Sequence, residues 1–189
     1  MEEETISKIL EGDNSHDNLC KYFLGANIND VKGLIKSYTR KSDGPRVIRE
    51  ASLSLNRENY LPRTETLRLE IALLLISEVA KNSSIPNTNA AKYLDCIELD
   101  TFSDQSLGHL HHKCRQLVDS DCDSSFRWLP VLGRLFSAVQ SRELFKPNDD
   151  GDEDSGTNFV EMYIRDICEL EWNLDMVTGM CSILKVITF

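Results

Sequence analysis

Apolar residues recur at intervals of three and four positions along nearly all of the chain, and no stretch alternates apolar and polar residues as a half-buried strand would. This pattern predicts an all-α protein of about ten helices. Polar segments that contain Gly, Pro, Asn or Asp separate the helices. The helices are predicted at residues 3–10, 15–24, 29–41, 46–58, 62–81, 90–99, 103–118, 125–142, 158–169 and 175–186.

The helix predicted at 62–81 differs from the others because apolar residues cover more than one of its sides. Leu67 and Ile71 share one side, whereas Leu73 and Ile76 lie elsewhere around the helix. A helix that is apolar on several sides usually lies at the centre of its fold. We therefore expect this helix to form the middle of the hydrophobic core.

Three of the predicted helix starts carry recognisable signals. Asn29 or Asp30 is suited to accept hydrogen bonds from the free amides of the third helix. Pro62 suits a first turn, because its ring presets φ and no amide is needed there. Ser103 is expected to cap the helix that follows it.

Helices joined in successive antiparallel pairs by mostly short loops suit two architectures. One is a short α-solenoid of the HEAT or armadillo type, and the other is an irregular helical bundle. No motif repeats at a fixed period. We expect a single helical domain over residues 1–189, in which an acidic flexible loop at about 146–157 precedes a C-terminal helical hairpin at 158–187.

The chain ends on an apolar turn without a Gly cap or a polar tail. We expect either that the natural protein continues past Phe189, as the N-terminal part of a longer chain, or that another chain packs there. The hairpin therefore supplies the candidate residues for binding protein partners or for self-association, which are Met180, Ile183, Leu184, Ile187 and Phe189.

The formal net charge of −10 argues against a general nucleic-acid binder, because phosphate binding needs clustered cations. The charge is unevenly distributed, however, since nine Lys and Arg residues lie between positions 32 and 68. Lys32, Lys36 and Arg40 are spaced four residues apart and share a helix face. Together with Lys41 they form the candidate electrostatic contact.

The cellular compartment follows from the cysteines and the N-terminus. The six cysteines form no regular disulfide framework, and the first four residues are acidic where a secretory signal would be basic. The longest apolar run, residues 71–76, is far shorter than the ~20 residues of a membrane span. We expect an intracellular protein, in the cytoplasm or the nucleus, that has no membrane partner.

One cluster of potential metal ligands occurs at His109, His111, His112 and Cys114. Zinc needs about four converging nitrogen or sulfur ligands, yet on one helix these side chains point in two directions. His109, His112 and Cys114 are therefore weak metal candidates. Because the glycines are isolated and no serine lies in a nucleophile elbow, we expect no cofactor and no enzymatic activity.

These observations favour a non-enzymatic protein–protein interaction or scaffold module, as a subunit or domain of a larger intracellular assembly. The first alternative is a nucleic-acid-associated helical scaffold, for example in DNA repair or chromosome maintenance, that uses the basic stretch at 32–68. That function predicts binding that weakens with salt and with Lys36 or Arg40 changed to Glu. The second alternative is a small helical zinc protein or enzyme centred on His109–Cys114, which would require bound metal in the purified protein.

Overall fold

The computed structural model describes residues 2–119 together with Trp128, Val131, Arg134, Leu135 and Ala138. All regular structure in these residues is helical, as the apolar spacing predicts. The helices are α1 (Glu2–Glu11), α2 (Ser15–Gly25), α3 (Ile28–Tyr38), α4 (Gly44–Leu55), α5 (Leu61–Lys81), α6 (Asn87–Asp95) and α7 (Asp104–Asp119), with a 3₁₀ turn at Leu99–Thr101. The acidic loop predicted at 146–157, the hairpin predicted at 158–187 and most of the helix predicted at 125–142 lie outside the described residues.

α3 begins earlier than predicted because Asn27, and neither Asn29 nor Asp30, caps it. Asn27 has an extended backbone, and its side-chain oxygen accepts a hydrogen bond from the backbone N–H of Asn29 at 2.8 Å. This is the usual geometry of an N-cap residue. All three side chains are suitable caps, so only the backbone conformation distinguishes them.

α4 and α5 both carry a proline in their first turn. Pro62 is the second residue of α5, as predicted. Pro45 is likewise the second residue of α4, so this helix begins at Gly44 and not at Arg46. The sequence pattern assigns Pro45 to the preceding break, but a proline ring is equally suited to the start of a helix.

The segment predicted as one helix at 90–99 is divided in the structure. α6 ends at Asp95, and the 3₁₀ turn follows at Leu99–Thr101. The Thr101 hydroxyl donates a hydrogen bond to the Glu98 carbonyl oxygen at 2.7 Å, which stabilises this turn. The next helix begins as predicted, since the Ser103 hydroxyl oxygen accepts from the backbone N–H of Ser106 at 3.3 Å.

The helices from α2 to α6 are arranged in two layers. α2, α4 and α6 pack successively in one layer, and α3 packs on α5 in the other. From α3 onward, each of these helices also packs on the next helix along the chain. Contact with both the following helix and the one after it is typical of stacked helical pairs. The architecture is therefore an α-solenoid, the first of the two predicted arrangements.

α5 supplies the centre of this stack, as its apolar sides predict. It packs against α3, α4 and α6. Its buried residues are Thr64, Leu67, Arg68, Ile71, Ala72, Leu75, Ile76, Val79 and Ala80. Within residues 2–119, neither α5 nor any other helix combines the length and the hydropathy needed to cross a membrane.

The chain divides into two compact units, Met1–Phe102 and Ser103–Phe189. The two-layered stack of α2–α6 belongs to the first unit, together with α1, which packs on α2. α7 belongs to the second unit and is amphipathic. Its buried face carries Leu107, Leu110, Cys114 and Leu117, at the three- and four-residue spacing of one helix side.

Candidate interaction surface

The basic stripe predicted on α3 is largely engaged with α5. Lys32 Nζ lies 2.8 Å from Glu70 Oε2, and Lys36 Nζ lies 3.0 Å from Glu78 Oε1. The Glu78 side chain is only 12% exposed, so solvent screens its ion pair less than an open surface pair. Both pairs connect the two helices of one layer. Lys32 and Lys36 are therefore partly neutralised, and the Lys36–Glu78 pair stabilises the stack more than the Lys32–Glu70 pair, whose side chains are 36% and 34% exposed.

The other two predicted contact residues lie where α3 ends. Arg40 is exposed and makes no ion pair within the part of the chain that the structure describes. Lys41 is half-buried, with its Nζ 4.8 Å from the centroid of the Tyr38 ring, within range of a cation–π attraction. Arg40 is thus the predicted contact residue that is most available to a partner.

The remaining residues of the basic stretch do not form one continuous surface. Arg57 is paired with Asp17 on α2. Arg68 is buried, at 5% exposure. The arginines that remain on the surface are Arg46 and Arg49 on α4 and Arg63 in the first turn of α5. The cationic surface is therefore smaller than the sequence suggests.

Arg68 connects several backbone segments inside the first unit. Its Nε donates a hydrogen bond to Thr64 Oγ1 at 3.1 Å, and its Nη2 donates to the Leu61 carbonyl oxygen at 3.1 Å. Its Nη1 donates to the carbonyl oxygen of Thr101 at 3.3 Å and to the hydroxyl of the same residue. The guanidinium carbon lies 5.0 Å from the centroid of the Phe102 ring. These contacts give Arg68 a structural role.

The layer of α2, α4 and α6 has its own polar ties. His16 Nε2 lies 2.9 Å from Glu50 Oε2, which joins α2 to α4. The Asp17–Arg57 pair lies beside it and joins α2 to the residues that follow α4. The side chains of both pairs are between 31% and 50% exposed, so each pair contributes little to stability.

A cleft of about 600 Å³ lies between α4 and α6 in the same layer. The side chains that define its chemistry are Arg46, Arg49 and Leu53 on α4, and Lys92, Cys96 and Glu98 on and after α6. Leu53 is 39% exposed, which is high for a large apolar side chain. The cleft therefore presents both cations and an apolar surface to solvent.

No motif or spacing in the sequence marks this cleft as a whole. Arg46, Arg49 and Leu53 are separated by three and four residues, so they share one face of α4. Leu53, an apolar residue on a helix face that carries two arginines, was the signal in the sequence that could have indicated the cleft. The contribution of Lys92 could not be predicted, because it depends on α6 packing against α4, and Lys92 lies 39 residues beyond Leu53 in the chain.

The structure does not bring the potential metal ligands on α7 together. His109 and His112 are exposed, and His112 Nε2 lies 3.0 Å from Gln116 Nε2, whereas Cys114 is fully buried. Burial raises the pKa of the Cys114 thiol to about 12, although nearby Lys113 opposes the shift. A zinc ligand or nucleophile must be a thiolate. Among the residues that the structure describes, no group of three His, Cys, Asp or Glu could hold a metal ion.

The predicted partner-binding residues at the end of the chain lie outside the described residues. They are Met180, Ile183, Leu184, Ile187 and Phe189.

Stacked helical pairs, tied together by ion pairs within each layer, define this protein as an α-helical solenoid. The family model for FANCI solenoid 1 matches residues 65–189, about two thirds of the chain. The chain therefore belongs to the FANCI solenoid 1 family. The match begins within α5, so α6 lies inside it and α4 lies outside it. No curated protein and no solved structure matches the chain.

Proposed function

We propose that this chain is a non-catalytic helical scaffold of a DNA-repair assembly and that it acts in the nucleus. Its membership of the FANCI solenoid 1 family is the observation that carries the proposal. The two-layered stack supports it, because α-solenoids serve as extended surfaces for binding partners. The protonated, buried thiol of Cys114 further supports a non-catalytic role for α7.

The scaffold contacts the DNA backbone through the end of α3. Arg40 is exposed there without an ion pair in residues 2–119, and Lys41 follows it directly. Lys32 and Lys36 contribute less, because Glu70 and Glu78 already neutralise them in part. With a net charge of −10 and few available cations, the chain alone binds duplex DNA weakly, and its affinity falls with salt at the shallow slope of a few phosphate contacts.

A charge-reversal pair tests the DNA contact. We expect the double variant Arg40→Glu, Lys41→Glu to lower the affinity of the full chain for a fluorescein-labelled duplex about tenfold, measured by fluorescence anisotropy. The slope of log affinity against log salt should fall by about two, because each phosphate contact contributes roughly 0.9 to it.

The matched control is the double variant Lys21→Glu, Arg63→Glu. It changes the net charge equally at two exposed positions on α2 and α5. We expect it to retain most of the duplex affinity. An equal loss of affinity in both variants would mean that only the total charge matters. Duplex binding that does not change with salt concentration would contradict the proposed DNA contact.

The C-terminal hairpin predicted at 158–187 is the proposed surface for a protein partner or for self-association. Its support is the spacing of Met180, Ile183, Leu184 and Ile187, which places four apolar residues on one side of a predicted helix. If the chain self-associates there, light scattering should show a dimer that becomes a folded monomer when Ile187 and Phe189 are changed to Ser. A dimer that persists in this variant would contradict a contact through these two residues.

A further inference from the structure

The cleft between α4 and α6 has the chemistry of a peptide-binding site that is separate from the DNA contact. Its volume of about 600 Å³ lies within the 300–1,000 Å³ that are usual for ligand pockets. It is formed entirely by residues of the first compact unit. This volume accommodates a few side chains of an occupant.

Three cations line the cleft, and none of them has an acidic partner in the described part of the chain. Arg46 and Arg49 lie three residues apart on α4, and Lys92 lies on α6. Other basic residues of this unit, such as Lys32, Lys36 and Arg57, are paired with carboxylates. Neighbouring arginines that lack such partners are suited to bind carboxylates from another molecule, often through two hydrogen bonds each.

Leu53 gives the cleft an apolar contact point. It lies on the same face of α4 as the two arginines and is 39% exposed. Only two other large apolar side chains in the described residues, Leu24 and Ile28, are comparably exposed, and neither lines the cleft. An occupant that covers Leu53 would remove this apolar surface from water.

The acidic residues of the cleft distinguish a peptide from nucleic acid. Glu50, Asp95 and Glu98 also line it. The phosphate backbone of a duplex has no N–H group to donate to these carboxylates, whereas a peptide carries such a donor at nearly every residue. Glu50 is already paired with His16, so the N–H groups of a peptide would donate to Glu98, while acidic side chains of the peptide reach the arginines.

We propose that the cleft between α4 and α6 binds a short linear peptide that combines acidic side chains with one large apolar side chain. The carboxylates contact Arg46 and Arg49, and the apolar side chain packs on Leu53. Lys92 adds a third favourable charge from α6. The site thus provides a docking point for an acidic segment of a partner protein.

The probe is a phage-displayed library of random dodecapeptides, selected on the full chain. We expect the selected peptides to be enriched in Asp and Glu next to Leu, Ile or Phe. Synthetic copies, labelled with fluorescein, should then bind about tenfold more weakly to the Arg46→Glu, Arg49→Glu variant. Leu53→Ser should weaken binding about threefold to tenfold, because it removes the apolar contact.

Two controls separate this site from the DNA contact. Peptide affinity should be unchanged in the Lys21→Glu, Arg63→Glu variant and in the Arg40→Glu, Lys41→Glu variant. Duplex affinity should be nearly unchanged in the Arg46→Glu, Arg49→Glu variant. All the substituted side chains are at least partly exposed, and circular dichroism and a thermal melt confirm that each variant is folded.

Three results would overturn the proposal. The site selects acidic peptides that carry an apolar side chain, so no enrichment, or enrichment of basic peptides, counts against it. Selected peptides that bind the Arg46→Glu, Arg49→Glu variant as tightly as the unaltered chain place the contact elsewhere. If that variant loses duplex binding and the library yields no binding peptides, the cleft is part of the nucleic-acid-binding surface.

Discussion

Replacing Gly44 by alanine is expected to destabilise the protein by about 3 kcal/mol, because the new methyl group has no room. A Cβ at this position would overlap the carbonyl oxygen of Tyr38 and would lie 2.8 Å from Tyr93 Oη and 2.9 Å from the Tyr38 carbonyl carbon. The Tyr93 side chain could rotate away from the new methyl group. The Tyr38 carbonyl cannot rotate in this way, because it belongs to the backbone of the last residue of α3. The start of α4 would have to move away from the end of α3.

The displacement would also disturb a contact between the layers. Tyr93 lies on α6, and its hydroxyl donates a hydrogen bond to the Thr39 carbonyl oxygen at 3.4 Å. Tyr93 is fully buried, and this burial raises the pKa of its phenol, so the hydroxyl stays protonated as a donor. Gly44 therefore lies at the point where α3, α4 and α6 come together.

Gly33→Ala is the matched control for this prediction. Gly33 lies within α3, and a Cβ there would meet nothing within 4 Å. Alanine favours a helix interior over glycine by about 0.5–1 kcal/mol, so this change should be stabilising. Urea unfolding followed by circular dichroism measures both effects. An unaltered midpoint for Gly44→Ala would show that the two helices approach less closely than the structure indicates.

The second large effect is expected for Arg68→Ala, which should lower the free energy of unfolding by about 3 kcal/mol. The substitution removes the guanidinium donors to the partly buried carbonyl oxygens of Leu61 and Thr101. It also removes the donor to Thr64 Oγ1 and the packing on the Phe102 ring. A buried acceptor that loses its partner carries its full desolvation cost.

The hydrogen bonds of Arg68 belong to a longer network. Thr64 Oγ1 also donates to the carbonyl oxygen of Leu55, the last residue of α4, at 2.8 Å. The network thus joins the end of α4, the first turns of α5 and the 3₁₀ turn at Leu99–Thr101. Burial lowers the pKa of Arg68, while Glu65 and Glu98 oppose the shift by favouring the charged form.

Arg68→Lys and Arg63→Ala make the test specific. Lysine keeps the charge but cannot reach several acceptors with a planar group, so Arg68→Lys should recover only part of the stability. Arg63 lies on the same helix but is exposed, and its replacement by alanine should change stability by no more than about 0.5 kcal/mol. If Arg68→Ala and Arg63→Ala unfold at the same urea concentration, the network does not stabilise the fold.

Helix positions were predictable to within a few residues for α1 to α7, because apolar spacing and capping preferences are local properties of the sequence. Pro62 and Ser103 mark helix starts in the structure, as their chemistry predicts. At Asn27 and Pro45 the helix starts differ from the predicted ones, because several neighbouring residues had side chains suited to a helix start. The all-α class also follows from these local patterns, whereas they left both a solenoid and a bundle open, and the packing of the helices decided between the two.

The candidate surface was less predictable, because its properties depend on residues far apart along the chain. The spacing of Lys32, Lys36 and Arg40 correctly places them along α3, but it does not reveal that Glu70 and Glu78 of α5 neutralise the first two. Arg68 looks like one more surface cation in the sequence, yet it is buried.

The division between local and tertiary information has a simple physical reason. A helix forms from contacts between residues three and four apart, so the sequence alone determined where the chain is helical and which face of each helix is apolar. The charge that a side chain presents to a partner depends on what packs against it. Only the packing of α3 on α5 and of α4 on α6 decided that Lys36 is a structural residue while Arg46, Arg49 and Leu53 face an open cleft.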